Sequence, residues 1–180
     1  MLCARIITDN LWFEREPLDS DSIKDLKTTN ETLSFWEWPD ENEREEKGKV
    51  ALAMAMTKDK IDEIYIYLID TDKVAEYENW VIEVKEKIGD TRFKAMQDRH
   101  RDFCMPTWWE LGFLAEYMGN HMVEKEHWDY YDTITLKNLF HHAIDRGYIT
   151  KEDIEGLGRR DGWKREYNEY INSRTENLGV

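Results

Sequence analysis

His100 and Cys104 stand four residues apart, and His141, His142 and Asp145 fall within one five-residue stretch; both groupings carry the residue types of catalysts and metal ligands. On a helix, a spacing of four puts two side chains on one face. There the His100 imidazole would activate the Cys104 thiol or join it on a zinc ion, and Arg99 and Arg101 would favour the thiolate. Phe93, Met96 and Phe103 share that stretch, so the weight falls on a core-edge histidine beside a buried thiol. Structural zinc needs two more ligands, and neither C-x-x-C nor H-x-x-x-H supplies them. Turning 100° per residue from the apolar stripe of Leu136, Leu139, Phe140, Ala143 and Ile144 puts His141, His142 and Asp145 on the solvent side. His141 and Asp145 can share a hydrogen bond or a cation there, but an exposed face lacks the supporting shell that holds a working metal. No metal and no cofactor are expected.

The common catalytic fingerprints are also missing. The chain has no Gly-rich phosphate loop ending in Lys-Ser or Lys-Thr, no G-x-G-x-x-G, no G-x-S-x-G and no H-E-x-x-H. Acidic residues are too numerous for any two to be paired as acid and base from sequence. With 25 Lys and Arg against 39 Asp and Glu, the net charge is −14, a field that repels phosphate backbones and anionic headgroups. The turn around Gly147 resembles a helix-turn-helix only in outline. Its second helix would open with Glu152, Asp153 and Glu155 against one lysine, and Asp161 and Glu166 dilute the patch of Arg159, Arg160, Lys164 and Arg165. Direct nucleic-acid binding and membrane binding are therefore not expected.

The acid is unevenly placed, with a net −7 in residues 1–48 and −5 in residues 110–132. The first of these segments contains the dense run Asp40–Lys47, read as a solvated loop or frayed helix end. Within the second, Glu126, Trp128, Asp129, Tyr130 and Tyr131 interleave rings and carboxylates without a clean period. Rings of this kind concentrate binding energy, and flanking acids select a basic surface, so these five residues are the candidate partner-binding site. The alternative is a loop whose rings pin it to the core. Trp12 with Phe13, and Trp36 with Trp38, raise the same question of whether the chain or a partner covers them.

The elements that must position these residues change character near residue 72. Up to residue 71 the apolar positions form short runs: Leu2–Thr8, Leu33–Trp38, Val50–Met56 and Ile64–Ile69 read as strands, the last interior because it is apolar on both faces. The third and fourth are expected to pair as a hairpin. Arg44–Met56 has a helical alternative, because Ala and Met favour helix. A short helix is expected near Ser22–Lys27. From Asp72 the period becomes helical, through Val74, Tyr77, Val81, Val84 and Ile88 to a stop at Gly89. Thr107 and Glu110 form a capping box before a helix to Met118 that is apolar nearly all round and so expected to be the most buried. A stripe from Leu136 ends at Gly147, Thr150 and Asp153 open the next turn, and Trp163, Tyr167, Tyr170 and Ile171 mark a last helix.

One hundred and eighty residues suffice for one domain with a real core. The expectation is an α+β fold in a single domain 1–180, with an antiparallel or mixed sheet of about four strands followed by a helical half. The start shows no basic, apolar and cleavage regions in signal order, and two cysteines allow at most one bridge, so a cytoplasmic setting is expected. The function read from these features is an acidic, non-catalytic subunit or regulator that binds a protein partner with a basic surface within a bacterial or phage multi-protein system. Two alternatives stand beside it: an enzyme of unfamiliar type using buried acids or His100, and an acidic mimic of DNA.

Overall fold

The computed structural model describes residues 1–8, 12, 20–78, 81–86, 98–105, 107–122 and 124–177. Strands β1 (Leu2–Ile7), β2 (Thr32–Glu37), β3 (Ile64–Asp70), β4 (Val84–Glu86), β5 (His100–Cys104) and β6 (Trp128–Tyr131) form one sheet in the order β4-β5-β2-β1-β3-β6. Every pairing is antiparallel. Helices among the described residues are α1 (Arg44–Ala55), α2 (Thr71–Glu78), α3 (Trp108–His121), α4 (Thr133–Asp145), α5 (Lys151–Glu155) and α6 (Asp161–Asn177), with 3₁₀ turns at Ser20–Leu26 and Lys125–His127. The class is α+β. The sheet has six strands rather than about four, and helices are interspersed rather than gathered after residue 72, since α1 precedes β3 while β4, β5 and β6 come from the second half. No helix among the described residues is long and apolar enough to cross a membrane.

Pleat alternation divides the strands between two cores. Ala4, Trp36, Ile64, Ile66 and Leu68, with Trp38 just past β2, face one side, beneath Leu52 and Met54 of α1, Leu136 and Phe140 of α4, Ile154 of α5 and Trp163 of α6. Cys3, Ile7, Leu33, Phe35, Tyr67, Ile69 and Phe103 face the other, beneath Val74 of α2 and Leu114, Tyr117 and Met118 of α3. Trp36 and Trp38 are thus covered by the chain itself, and Trp12 is buried with its indole N–H donating to Asp25 Oδ2 at 2.8 Å. Phe13 lies outside the described residues.

The strand reading of Val50–Met56 is overturned: Arg44–Ala55 is helix, so the expected hairpin does not form and β3 pairs with β1 and β6 instead. Alternating Ala with larger residues imitates a pleat. A helix buried from Val50 to Ala55 has apolar residues all round, which erases the 3.6-residue signature and leaves intrinsic propensity as the informative signal. Gly48 within α1 has a packing reason, because a Cβ there would stand 2.8 Å from Leu139 Cδ2 of α4. The helix expected from Asp72 is described over Thr71–Glu78 and does not reach Val81, and Val84 belongs to β4. Ile88, Phe93 and Met96 lie outside the described residues.

Helix α3 has its capping box, with the Thr107 N–H donating to Glu110 Oε2 at 2.9 Å and the Glu110 N–H donating to Thr107 Oγ1 at 3.4 Å. It is not the most buried helix. Leu114, Tyr117 and Met118 are enclosed, whereas Trp108 and Trp109 are 70% and 59% exposed, stacked on each other at 3.8 Å. Its apolar residues outnumber those its single contact face can bury, and α1, wedged between sheet and α4, takes the most buried place.

Candidate functional site

His100 and Cys104 are in a strand, not a helix. At about 3.3 Å per residue, four residues of strand separate them by ~13 Å where a helix would bring them within ~6 Å, so thiol and imidazole do not meet. The His100 ring lies against Trp36 at 5.0 Å, and the buried Asp102 between the two receives the Ser34 hydroxyl at 3.1 Å. His141, His142 and Asp145 are also parted. Helix α6 takes the first and last: His141 Nε2 is 2.9 Å from Glu166 Oε1 with its ring stacked on Tyr170 at 3.9 Å, and Asp145 receives Tyr170 and Arg174. Lys137 Nζ stands 2.6 Å from Glu166 Oε2. Although burial opposes it, bonding to Lys137 and His141 holds the Glu166 carboxyl below its ordinary pKa.

The segment carrying the partner-binding candidates is largely a strand. Residues Trp128–Tyr131 are β6, paired with β3 in the register Ile64 with Tyr131, Tyr65 with Tyr130, Ile66 with Asp129 and Tyr67 with Trp128. Period-2 alternation then splits the candidates. Trp128 and Tyr130 lie on the α2 and α3 side, where their rings meet Tyr65 at 6.4 and 4.7 Å. The Tyr130 hydroxyl donates to Glu63 Oε2 at 2.7 Å, a bond that pushes its pKa up to about 12. Asp129 and Tyr131 lie on the opposite side. There burial, more than the Asp129 charge, holds the Tyr131 phenol well above its ordinary range. Glu126 precedes the strand on the 3₁₀ turn and stands 3.6 Å from Lys73.

Asp129 and Tyr131 line a cavity of about 740 Å³ that runs between α1 and α4 beside β6. Its floor is Gly48, Leu52, Leu139 and Ala143, and its walls carry Arg44, Lys47, Lys49 and Arg146 against Glu41, Glu45 and Asp129. In a chain of net charge −14, this is a local excess of cations. Lys49 Nζ sits 4.1 Å above the Tyr148 ring and 2.6 Å from Glu46 Oε1, while the Tyr148 hydroxyl donates to Glu45 Oε1 at 2.9 Å. That hydrogen bond, followed by the Lys49 charge, lowers the Glu45 pKa. The groove therefore offers an apolar floor with charged groups at its walls, the arrangement of a binding cleft. No family model, curated protein or solved structure matches this chain. The groove and the edge strand beside it are thus argued from geometry alone.

Sequence reasoning singled out Glu126, Trp128, Asp129, Tyr130 and Tyr131 as a surface without reading them as a strand, and it missed the groove. Its members come from three separated segments, and the one local signal was a glycine inside a helix-forming run, which marks close approach of another element. Tyr65, the ring that Trp128 and Tyr130 meet at a tilt, was hidden within a strand read only as core.

Proposed function

We propose that this chain is a non-catalytic binding protein that receives a protein partner along the β6 edge and into the groove beside it. The observation that carries the reading is the coincidence of three features at one place: a strand at the end of the sheet order, rings presented on both its faces, and a cavity of about 740 Å³ opening against it. An edge strand offers backbone donors and acceptors to an added strand, and alternate side chains of that strand would fall on the Tyr65–Trp128–Tyr130 rings and into the groove. Glu63, Glu124, Glu126 and Asp132 flank the edge in sequence and favour a partner that is basic along the added strand, while Arg44, Lys47, Lys49 and Arg146 favour a neutral or acidic group where it enters the groove.

The test is the complex isolated from native cells. Trp128→Ala or Tyr131→Ala is expected to weaken it at least ~10-fold, about 1.4 kcal/mol, in protein whose circular dichroism is unchanged. Neutralising Glu126 and Asp129 is expected to slow association and flatten its salt dependence while leaving dissociation nearly unchanged. Amide exchange at residues 128–131 should slow in the complex. Folded ring variants that bind normally, with no added protection of β6, would remove this surface from consideration, and the exposed Trp108–Trp109 pair would be the next to examine.

A further inference from the structure

On the α2 and α3 side, ahead of β6, the chain gathers a second group of side chains, of which the partner-binding reading uses only the charges of Glu124 and Glu126. Glu124 caps the 3₁₀ turn Lys125–His127, and three residues per turn place Glu124 and His127 directly above one another. His127 Nε2 is 3.0 Å from Glu124 Oε2 and 3.6 Å from Glu126 Oε1, and the three donor atoms all lie within 4.8 Å of each other. A tetrahedral zinc ion with bonds of about 2.0–2.1 Å holds its donors ~3.3 Å apart, a value that the two distances from His127 to the glutamates bracket, and the exposed glutamates can turn to adjust their own separation. His127 is 5% exposed while both glutamates reach solvent, which gives an ion an enclosed nitrogen and an open approach.

Two further observations point at the same spot. A cavity of about 380 Å³ is bounded by Glu124, Glu126 and His127 together with Tyr117, His121 and Lys73. The Tyr67 hydroxyl is fully buried with no hydrogen-bond partner among the described residues, and the Tyr67 ring lies parallel to that of His127 with centres 6.2 Å apart. A buried hydroxyl without a partner is uncommon and calls for an explanation such as an ion or a water. His121 adds a neighbouring imidazole, 5.4 Å from that of His127 between ring centres, with Nδ1 held against the Tyr117 carbonyl oxygen at 2.8 Å. A backbone carbonyl at Nδ1 is the outer support commonly seen behind metal-facing histidines.

We propose that Glu124, Glu126 and His127 bind a divalent transition-metal ion of the zinc type, with the fourth position directed toward His121 and the Tyr67 hydroxyl. The imidazole favours such an ion over calcium or magnesium, which take oxygen ligands. This departs from the expectation of no metal, which weighed only His100 with Cys104 and the His141 cluster. The probes are Zn²⁺ and Co²⁺ added to the full chain after chelator treatment. Calorimetry and elemental analysis after gel filtration are expected to show one Zn²⁺ per chain, held at micromolar affinity or tighter, and Co²⁺ to give the intense visible bands of a four-coordinate site. His127→Gln and Glu124→Gln should each weaken binding at least ~10-fold, whereas His141→Gln should not. If burial prevents His127→Gln from folding, Glu124→Gln and Glu126→Gln carry the comparison from positions that reach solvent. Absence of stoichiometric uptake by the wild-type chain, or uptake unchanged in the folded glutamate variants, would overturn the proposal; neither outcome depends on the partner reading.

Discussion

Cys3 is fully enclosed on β1, and burial pushes its thiol pKa up to about 12. The unfolded thiol ionises near 9.0, so its contribution to stability is complete below that pH and is lost as pH climbs from there toward 12. The phenols of buried Tyr67 and half-buried Tyr131, also raised chiefly by loss of solvent, act in the same direction. Denaturation midpoints are therefore expected to decline steadily above pH 9, and Cys3 in the native protein to resist alkylation at pH 8 that modifies it readily in denaturant. Rapid native labelling of Cys3, read by mass spectrometry, would show instead that β1 opens. Glu166 gives the acid limb: its depressed pKa adds stability above the unfolded carboxyl's pKa that disappears as pH falls through the folded value. At this scale the sequence was informative about identity and poor about company. His141 and Asp145 were expected on a solvated face, yet both are taken by α6, and no local spacing reveals a partner that arrives 25 residues later.

Terminal signals of helices were legible where they are local. The Thr107 and Thr150 capping boxes and the positive-φ stop at Gly147 appear as read, because each is decided within four residues. The identity of buried elements was less legible, since α1 is apolar all round from Val50 to Ala55 and β5 buries the polar His100 and Asp102, so neither shows the period of its element. Gly162 shows how packing overrides propensity. A Cβ at this position, in the first turn of α6, would come within 2.7 Å of Lys60 Cα and 3.2 Å of the Asp59 carbonyl oxygen. Gly162→Ala, which would add up to ~1 kcal/mol to an isolated helix, is instead expected to cost about 1–3 kcal/mol. A raised melting temperature would show that the 59–60 turn yields freely. In α3, Leu114→Ala is expected to cost about 2–5 kcal/mol, and Leu111→Ala, half-buried at the margin, distinctly less. Equal losses in urea titrations would mean the margin is as enclosed as the centre.

A net charge of −14 on 180 residues disfavours the compact state through self-repulsion, so added salt should raise the melting temperature between low and physiological ionic strength. The same field predicts no binding to duplex DNA at physiological salt in the micromolar range. A sequence-specific shift that fails when Arg159, Arg160, Lys164 and Arg165 are neutralised would contradict this. Arg160, however, already donates to the Thr57 and Leu157 carbonyl oxygens, which holds it against the chain's own backbone. The strand order carries one more consequence, for synthesis. β1 is the first of the described strands and lies inside the sheet, with β2 and β3 added on its two sides and β5 and β6 beyond them. A chain leaving the ribosome from its N-terminus thus lays down a template and extends it outward, each new strand meeting a ladder already formed. Only β4 breaks the sequence, waiting for β5 before it has a neighbour. The strand that completes the perimeter on the other side is β6, so until residues 128–131 emerge the nascent sheet presents β3 as a bare, strongly apolar margin, and that interval is when a ribosome-associated chaperone would find its best purchase.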